Sequence, residues 1–270
     1  MANPVLNEKA FKNAASENAV GWAAPDAATA YHPAITDGPI SPHRAGVMTV
    51  DGTISATAVL FVLLLAAGVV GWLSVKVSAE QTTAFPGWIL APLFIGFGLV
   101  LATTFRPKIS RVTAPIYALA EGLVVGAISH VYNVQWHGIA AEAALGTAGV
   151  FATMLFLYST RLVRVTDKMR RVIVAATMGV IVIYVVGMIV RLVSGSATFI
   201  NGSSGFSIVL SLVFVGVAAF NLMLDFDLVE RGAQSGAPKY MEWYAGLGLL
   251  VTVVWLYLEL LRLLAKLRER

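Results

Sequence analysis

Cysteine is missing altogether from these 270 residues, which excludes disulfides, thiol catalysis, iron–sulfur clusters and cysteine-held zinc. Charge is scarce too. Asp, Glu, Lys and Arg together make 13% of the chain against 58% hydrophobic residues, about half the charged share of an ordinary soluble domain. None of the four histidines, His32, His43, His130 and His137, stands in a His-Glu-x-x-His spacing, and no Gly-rich loop of the Gly-x-x-x-x-Gly-Lys-Ser/Thr kind is present, so zinc proteolysis and nucleotide hydrolysis lose their usual signatures. Ser204-Gly205 reads as a loop and helix start rather than an intramembrane serine nucleophile. The chain is expected not to be an enzyme and to need no cofactor. Basic residues give a net charge of +4, but they lie between apolar segments instead of forming one aromatic-interleaved patch, which argues against nucleic acid.

What is abundant is long apolar sequence. Mean hydropathy is +0.78, and a helix crossing a roughly 30 Å hydrocarbon core needs about 20 mostly apolar residues, with every backbone amide paired inside the segment. Stretches of that kind run from Thr53 to Leu73, Trp88 to Phe105, Ala114 to Tyr132, Ile139 to Tyr158, Val172 to Val193, Phe206 to Leu224 and Tyr240 to Ala265. The expected fold is all-α, a polytopic membrane bundle of about seven transmembrane helices over residues 51–270. Residues 1–50, rich in Ala, Asn, Ser, Gly and Pro and without periodicity, read as a mostly disordered cytosolic tail. They begin no secretory signal.

Lys and Arg in short loops are retained in the cytoplasm. The second connection carries Arg106, Lys108 and Arg111, the fourth Arg161, Arg164, Lys168, Arg170 and Arg171, and the sixth Arg231 and Lys239. That pattern places the N-terminus inside. Seven full spans then leave Lys266, Arg268 and Arg270 on the outer side, against the rule, unless the last segment is re-entrant; its length favours a full span.

Ionisable groups at membrane depth are costly and mark function by default. Glu121 lies inside the third stretch beside Gly122, Gly126 and Ala127, small residues that let a neighbouring helix approach. His130 reads as an interfacial residue at that span's outer end. The sixth stretch closes with Asp225, Asp227 and Glu230; Asp225 is the deepest, and Asp225 and Asp227 diverge by about 200° around a helix. Asp227 and Glu230 read as a solvated helix end. In the last stretch, Thr252 and Glu259 share nearly one face, and Glu259 either joins a buried site or pairs locally with Arg262 at i+3. Buried oxygens suit a hard cation such as calcium, and protonating one of a carboxylate pair switches its charge. The candidate gate or ion-binding residues are thus Asp225, Glu121, Glu259 and Thr252, with Asp225 as the metal-contacting residue and calcium as the transported ion.

Three stretches carry a resemblance to a known family: Ala114-Pro115 through Glu121 to Ser129, the end of the sixth span around Asp225, and Trp255-Leu-Tyr-Leu-Glu-Leu-Leu-Arg-Leu-Leu. Together with the opening Asn3-Pro-Val-Leu and with Met48-Thr-Val-Asp, they are similar to the Bax inhibitor-1-like, or transmembrane Bax inhibitor motif, family in its bacterial branch. The resemblance implies seven spans with the last helix central, a bacterial inner membrane, and a pH-dependent calcium leak governed by two aspartates on the last two spans. The first falls on Asp225. The second falls on Thr252, where this sequence departs from the family pattern. A second reading is a non-conducting regulator that binds a membrane protease or other membrane proteins; a third, a secondary transporter, calls for an inverted repeat that the sequence does not show.

Overall fold

The computed structural model describes residues 46–76, 87–194, 202 and 204–269. Its helices are α1 (Val50–Ser74), α2 (Leu90–Phe105), α3 (Ser110–Gln135), α4 (Ile139–Ser159), α5 (Asp167–Ser194), α6 (Gly205–Gln234) and α7 (Met241–Arg268), with short 3-10 turns at Gly87–Ile89 and Pro107–Ile109. With the 3-10 turns counted into α2 and α3, all seven are long and apolar enough to cross a membrane. The chain is a multi-pass membrane protein with the expected all-α architecture.

The last helix sits at the centre: α7 packs on α1, α3, α4 and α6. Tyr244, Leu247, Leu250 and Leu256 of α7 are fully buried and join Leu222 of α6 and Leu60 of α1 in the main core. The apolar character of α5 has another cause. Only Ile173, Thr177 and Val180 of its side chains are buried, and it packs mainly on α6. Most of its surface is apolar because it faces lipid, not because it fills the core.

The tightest crossing is between α1 and α3. A Cβ added at Gly126 would run into the Gly68 carbonyl, one at Gly122 into the Leu64 carbonyl, and one at Gly71 into the Leu123 carbonyl. The small residues read from the sequence at 122 and 126 therefore let two backbones touch, which is how helices associate where lipid supplies no hydrophobic drive.

Connections sort onto two ends. At one end Met48 N–H donates to Ala237 O (2.6 Å) and Lys239 N–H to Gly46 O (2.9 Å), forming an isolated bridge between Val47 and Pro238, while Ser110 Oγ donates to Tyr240 O (2.8 Å). The disordered tail expected over residues 1–50 lies, for 1–45, outside the described residues; Gly46 to Thr49 are docked on the α6–α7 connection. Glu242 secures them, its Oε1 accepting from both Thr49 N–H and Thr49 Oγ1 at 3.1 Å, and Thr49 in turn caps α1 through Gly52 N–H.

At the other end α7 finishes beside the α3–α4 connection. Its 28 residues extend about 42 Å, enough for a full span rather than a re-entrant loop. Its basic end is matched by partners: Arg268 donates to Glu142 Oε1 (2.5 Å) and His137 O (3.0 Å), and buried Lys266 donates to Ser211 Oγ (2.6 Å) and Ser207 O (3.3 Å). These pairings explain how the last helix carries cations on the side opposite the basic connections.

Candidate functional site: a polar seam along α5, α6 and α7

Polar side chains gather where α5 and α7 meet α6. On α6, Ser207, Ser211, Asn221 and Asp225 are all buried, at spacings of four, ten and four that keep them within one helical stripe. On α7, Thr252, Glu259 and Lys266 repeat every seven residues and are buried too. The Lys266 contacts with Ser207 and Ser211 fix an antiparallel register, which places Asp225 within about 3 Å along the axis of the level of Thr252.

Asp225 is 1% exposed, one turn beyond Asn221. Asn221 Nδ2 donates to Thr177 Oγ1 of α5 (2.9 Å) and to Val217 O (2.8 Å), while its Oδ1 accepts no hydrogen bond among the described residues. A carbonyl oxygen left in this state is costly unless something donates to it or coordinates it. Asn221 was not singled out from the sequence. Its position four residues before Asp225 was the signal that could have found it.

Glu259 is 2% exposed and heavily bonded. Oε1 accepts from Tyr184 OH of α5 (2.5 Å) and Trp255 Nε1 (3.0 Å); Oε2 pairs with Arg262 (3.1 Å). Arg262 also donates to Tyr184 OH and lies over the Tyr184 ring, 5.0 Å from its centroid. Of the two expectations for Glu259, the i+3 pairing with Arg262 is present, inside a buried network with Tyr184 and Trp255.

Asp227 and Glu230 depart from the solvated helix end expected of them. Asp227 is buried, and its Oδ2 takes both Arg170 of α5 (2.8 Å) and Arg231 (2.9 Å). Glu230 accepts from Tyr158 OH of α4 and from Gln234 Nε2 (3.1 Å). The physical reason is that α6 does not stop at Leu224: it runs ten residues further, to Gln234, because partners on α4 and α5 satisfy its carboxylates.

Arg170, Thr177 and Tyr184 stand seven residues apart on α5, and each makes a polar contact with α6 or α7. Arg170 meets Asp227, Thr177 meets Asn221, and Tyr184 meets Glu259 and stacks at a tilt on Phe214, centroids 5.3 Å apart. The helix is thus fastened by hydrogen bonds and one ion pair, beside the apolar contact of Ile173 with Leu224 of α6.

Glu121 lies elsewhere. It is half-buried on α3 beside Gly96 of α2 and Tyr117, away from the α6–α7 seam. His130 closes the end of α1: its Nδ1 is 2.6 Å from Trp72 O and its ring stacks on Trp72. Among the described residues, no three His, Cys, Asp or Glu side chains form a metal-holding group.

A family model described as Bax inhibitor 1 like matches residues 3–269. No curated protein and no solved structure matches. A match over nearly the whole chain shows the family: the chain belongs to the Bax inhibitor 1-like proteins, generally non-enzymatic membrane proteins.

Proposed function

We propose that this Bax inhibitor 1-like chain is a cation leak, with calcium as the transported ion, and that the α6–α7 seam is its path in a closed state. The observation that carries the reading is the burial of Asp225 and Asn221 one turn apart at membrane depth, with the side-chain oxygen of Asn221 accepting no hydrogen bond among the described residues. Hard cations take carboxylate and carbonyl oxygens, and an ion that binds too tightly does not leave. A few buried oxygens on one stripe of α6 suit passage better than storage.

Closure is supplied by α5. Its Arg170–Asp227 pair covers one end of the seam and its Tyr184 contact with Glu259 and Arg262 covers the other. Moving α5 outward breaks both and exposes Asp225 and Thr252 to water. Protonation of a seam carboxylate removes the charge that holds the latch or attracts the ion, which makes the leak sensitive to pH. The basic connections support a cytoplasmic side for Gly46 and the α6–α7 connection, in a plasma membrane of bacterial inner-membrane type.

Purified chain in vesicles loaded with a calcium dye tests the reading. Calcium entry above that of empty vesicles, reduced or altered in Asp225→Asn, is the expected result. Vesicles that stay silent at every pH while crosslinking captures a membrane-protein partner overturn it in favour of a non-conducting regulator.

A further inference from the structure

Away from the carboxylates, a cavity of about 780 Å³ lies between α1 and α4, floored by α3 and α7. Its two walls stand apart because α1 and α4 each pack on α3 and α7 rather than extensively on each other. The α1 wall runs from Phe61 to Leu73 and the α4 wall from Ala140 to Phe151. At 1.5 Å per residue the α1 wall is about 18 Å long, close to one leaflet of a roughly 30 Å hydrocarbon core. The helices are antiparallel, so Leu73 and Ala140 meet at the membrane face while Phe61 and Phe151 meet near mid-depth.

The lining is apolar, and its hydroxyl groups are hydrogen-bonded within the protein. Ser129 Oγ and Tyr257 OH share a 2.6 Å hydrogen bond, Ser129 Oγ donates to Val125 O, and Thr147 Oγ1 donates to Ala143 O (2.7 Å). Water needs two to four polar partners in such a space, and a lining this apolar offers few. Because the walls open sideways between two helices, the space is accessible to hydrocarbon from the surrounding leaflet. At the mouth, Trp72 is held by its stack on His130, at the level where amphipathic rings meet lipid headgroups.

We propose that this crevice binds one acyl chain of a phospholipid, taken from the leaflet on the Trp72 side. Its length matches one leaflet, its walls open sideways between two helices, and its volume falls in the range of small-molecule sites. The chain's methyl end lies between Phe61 and Phe151, and its glycerol end beside Trp72 and Ala140. The site is separate from the cation seam and stands whether or not the protein conducts.

The test uses full-length protein in phosphatidylcholine vesicles carrying a trace of phosphatidylcholine with a photoactivatable diazirine on one acyl chain. Two probes are compared, one with the diazirine near the chain end and one near the glycerol. After illumination, adducts are mapped by mass spectrometry. The expected result is dense labelling at Phe61 and Phe151 by the first probe and at Trp72 and Ala140 by the second, with both falling several-fold in Ala144→Phe/Ala148→Phe, which fills the crevice. If that variant does not fold, Ala148→Leu alone replaces it. Labelling no denser than at lipid-facing Phe94 and Phe97 of α2, labelling unchanged by filling, or crevice residues crosslinked to a second copy overturns the proposal.

Discussion

Replacing Arg170 by Ala removes one of two cations from the same oxygen of Asp227, and the consequence follows from the geometry. A hydrogen bond to a charged group contributes about 1.5–3 kcal/mol, and the Arg170–Asp227 contact at 2.8 Å is largely out of solvent on both sides. Arg231 stays at 2.9 Å, but its side chain is 45% exposed, so its pair contributes at most about 1 kcal/mol and cannot replace the first. The net loss is about 1–2 kcal/mol. Because Arg170 is on α5 and Asp227 on α6, that loss falls on the docked arrangement of α5. About 1.4 kcal/mol then raises the ratio of released to docked α5 about tenfold. A double-mutant cycle with Arg170→Ala and Asp227→Asn, read by unfolding in mixed micelles, should return a coupling of about 1–2 kcal/mol. Calcium entry into vesicles should rise with Arg170→Ala in the same preparations. Since the chain has no cysteine, a disulfide introduced between α5 and α6 is uncontaminated by native thiols and should suppress that rise. A coupling near zero refutes the latch; a coupling of the expected size with unchanged flux refutes its role as the gate.

Three further outcomes follow. Tyr184→Phe keeps the ring on Phe214 but removes the hydroxyl between Glu259 and Arg262, and should cost about 0.5–1.5 kcal/mol in unfolding while raising flux. Gly126→Ala places a methyl against the Gly68 carbonyl, and overpacking of about 1–3 kcal/mol should appear as a lower melting temperature. Glu242→Ala leaves Thr49 without its acceptor, and should speed hydrogen exchange in the first turn of α1 at a cost of about 1 kcal/mol, with Glu242→Gln close to the native protein.

Hydropathy made the spans legible because lipid forces each to be helical and apolar. It did not make their ends legible: a window of 20 residues measures membrane depth, and α6 continues past it on carboxylates satisfied from other helices. Asp227 looked solvated because Arg170 lies 57 residues away in sequence, a pairing that no local spacing reveals. The seven-residue repeat of Arg170, Thr177 and Tyr184 was visible, and it signified the polar face of a helix otherwise turned to lipid. Gly122 and Gly126 were read correctly for a local reason, since a residue without a Cβ in a span points to a close crossing. The crevice between α1 and α4 had no sequence signature, because it arises from how two helices pack on α3 and α7 rather than extensively on each other.

Calcium entry into dye-loaded vesicles, measured from about pH 5 to about pH 8 for the native chain and for Asp225→Asn, tests the cation-leak reading most directly. A pH-dependent flux in the native protein that flattens in Asp225→Asn is the predicted result; an identical pH profile in both proteins would contradict a gate built on Asp225.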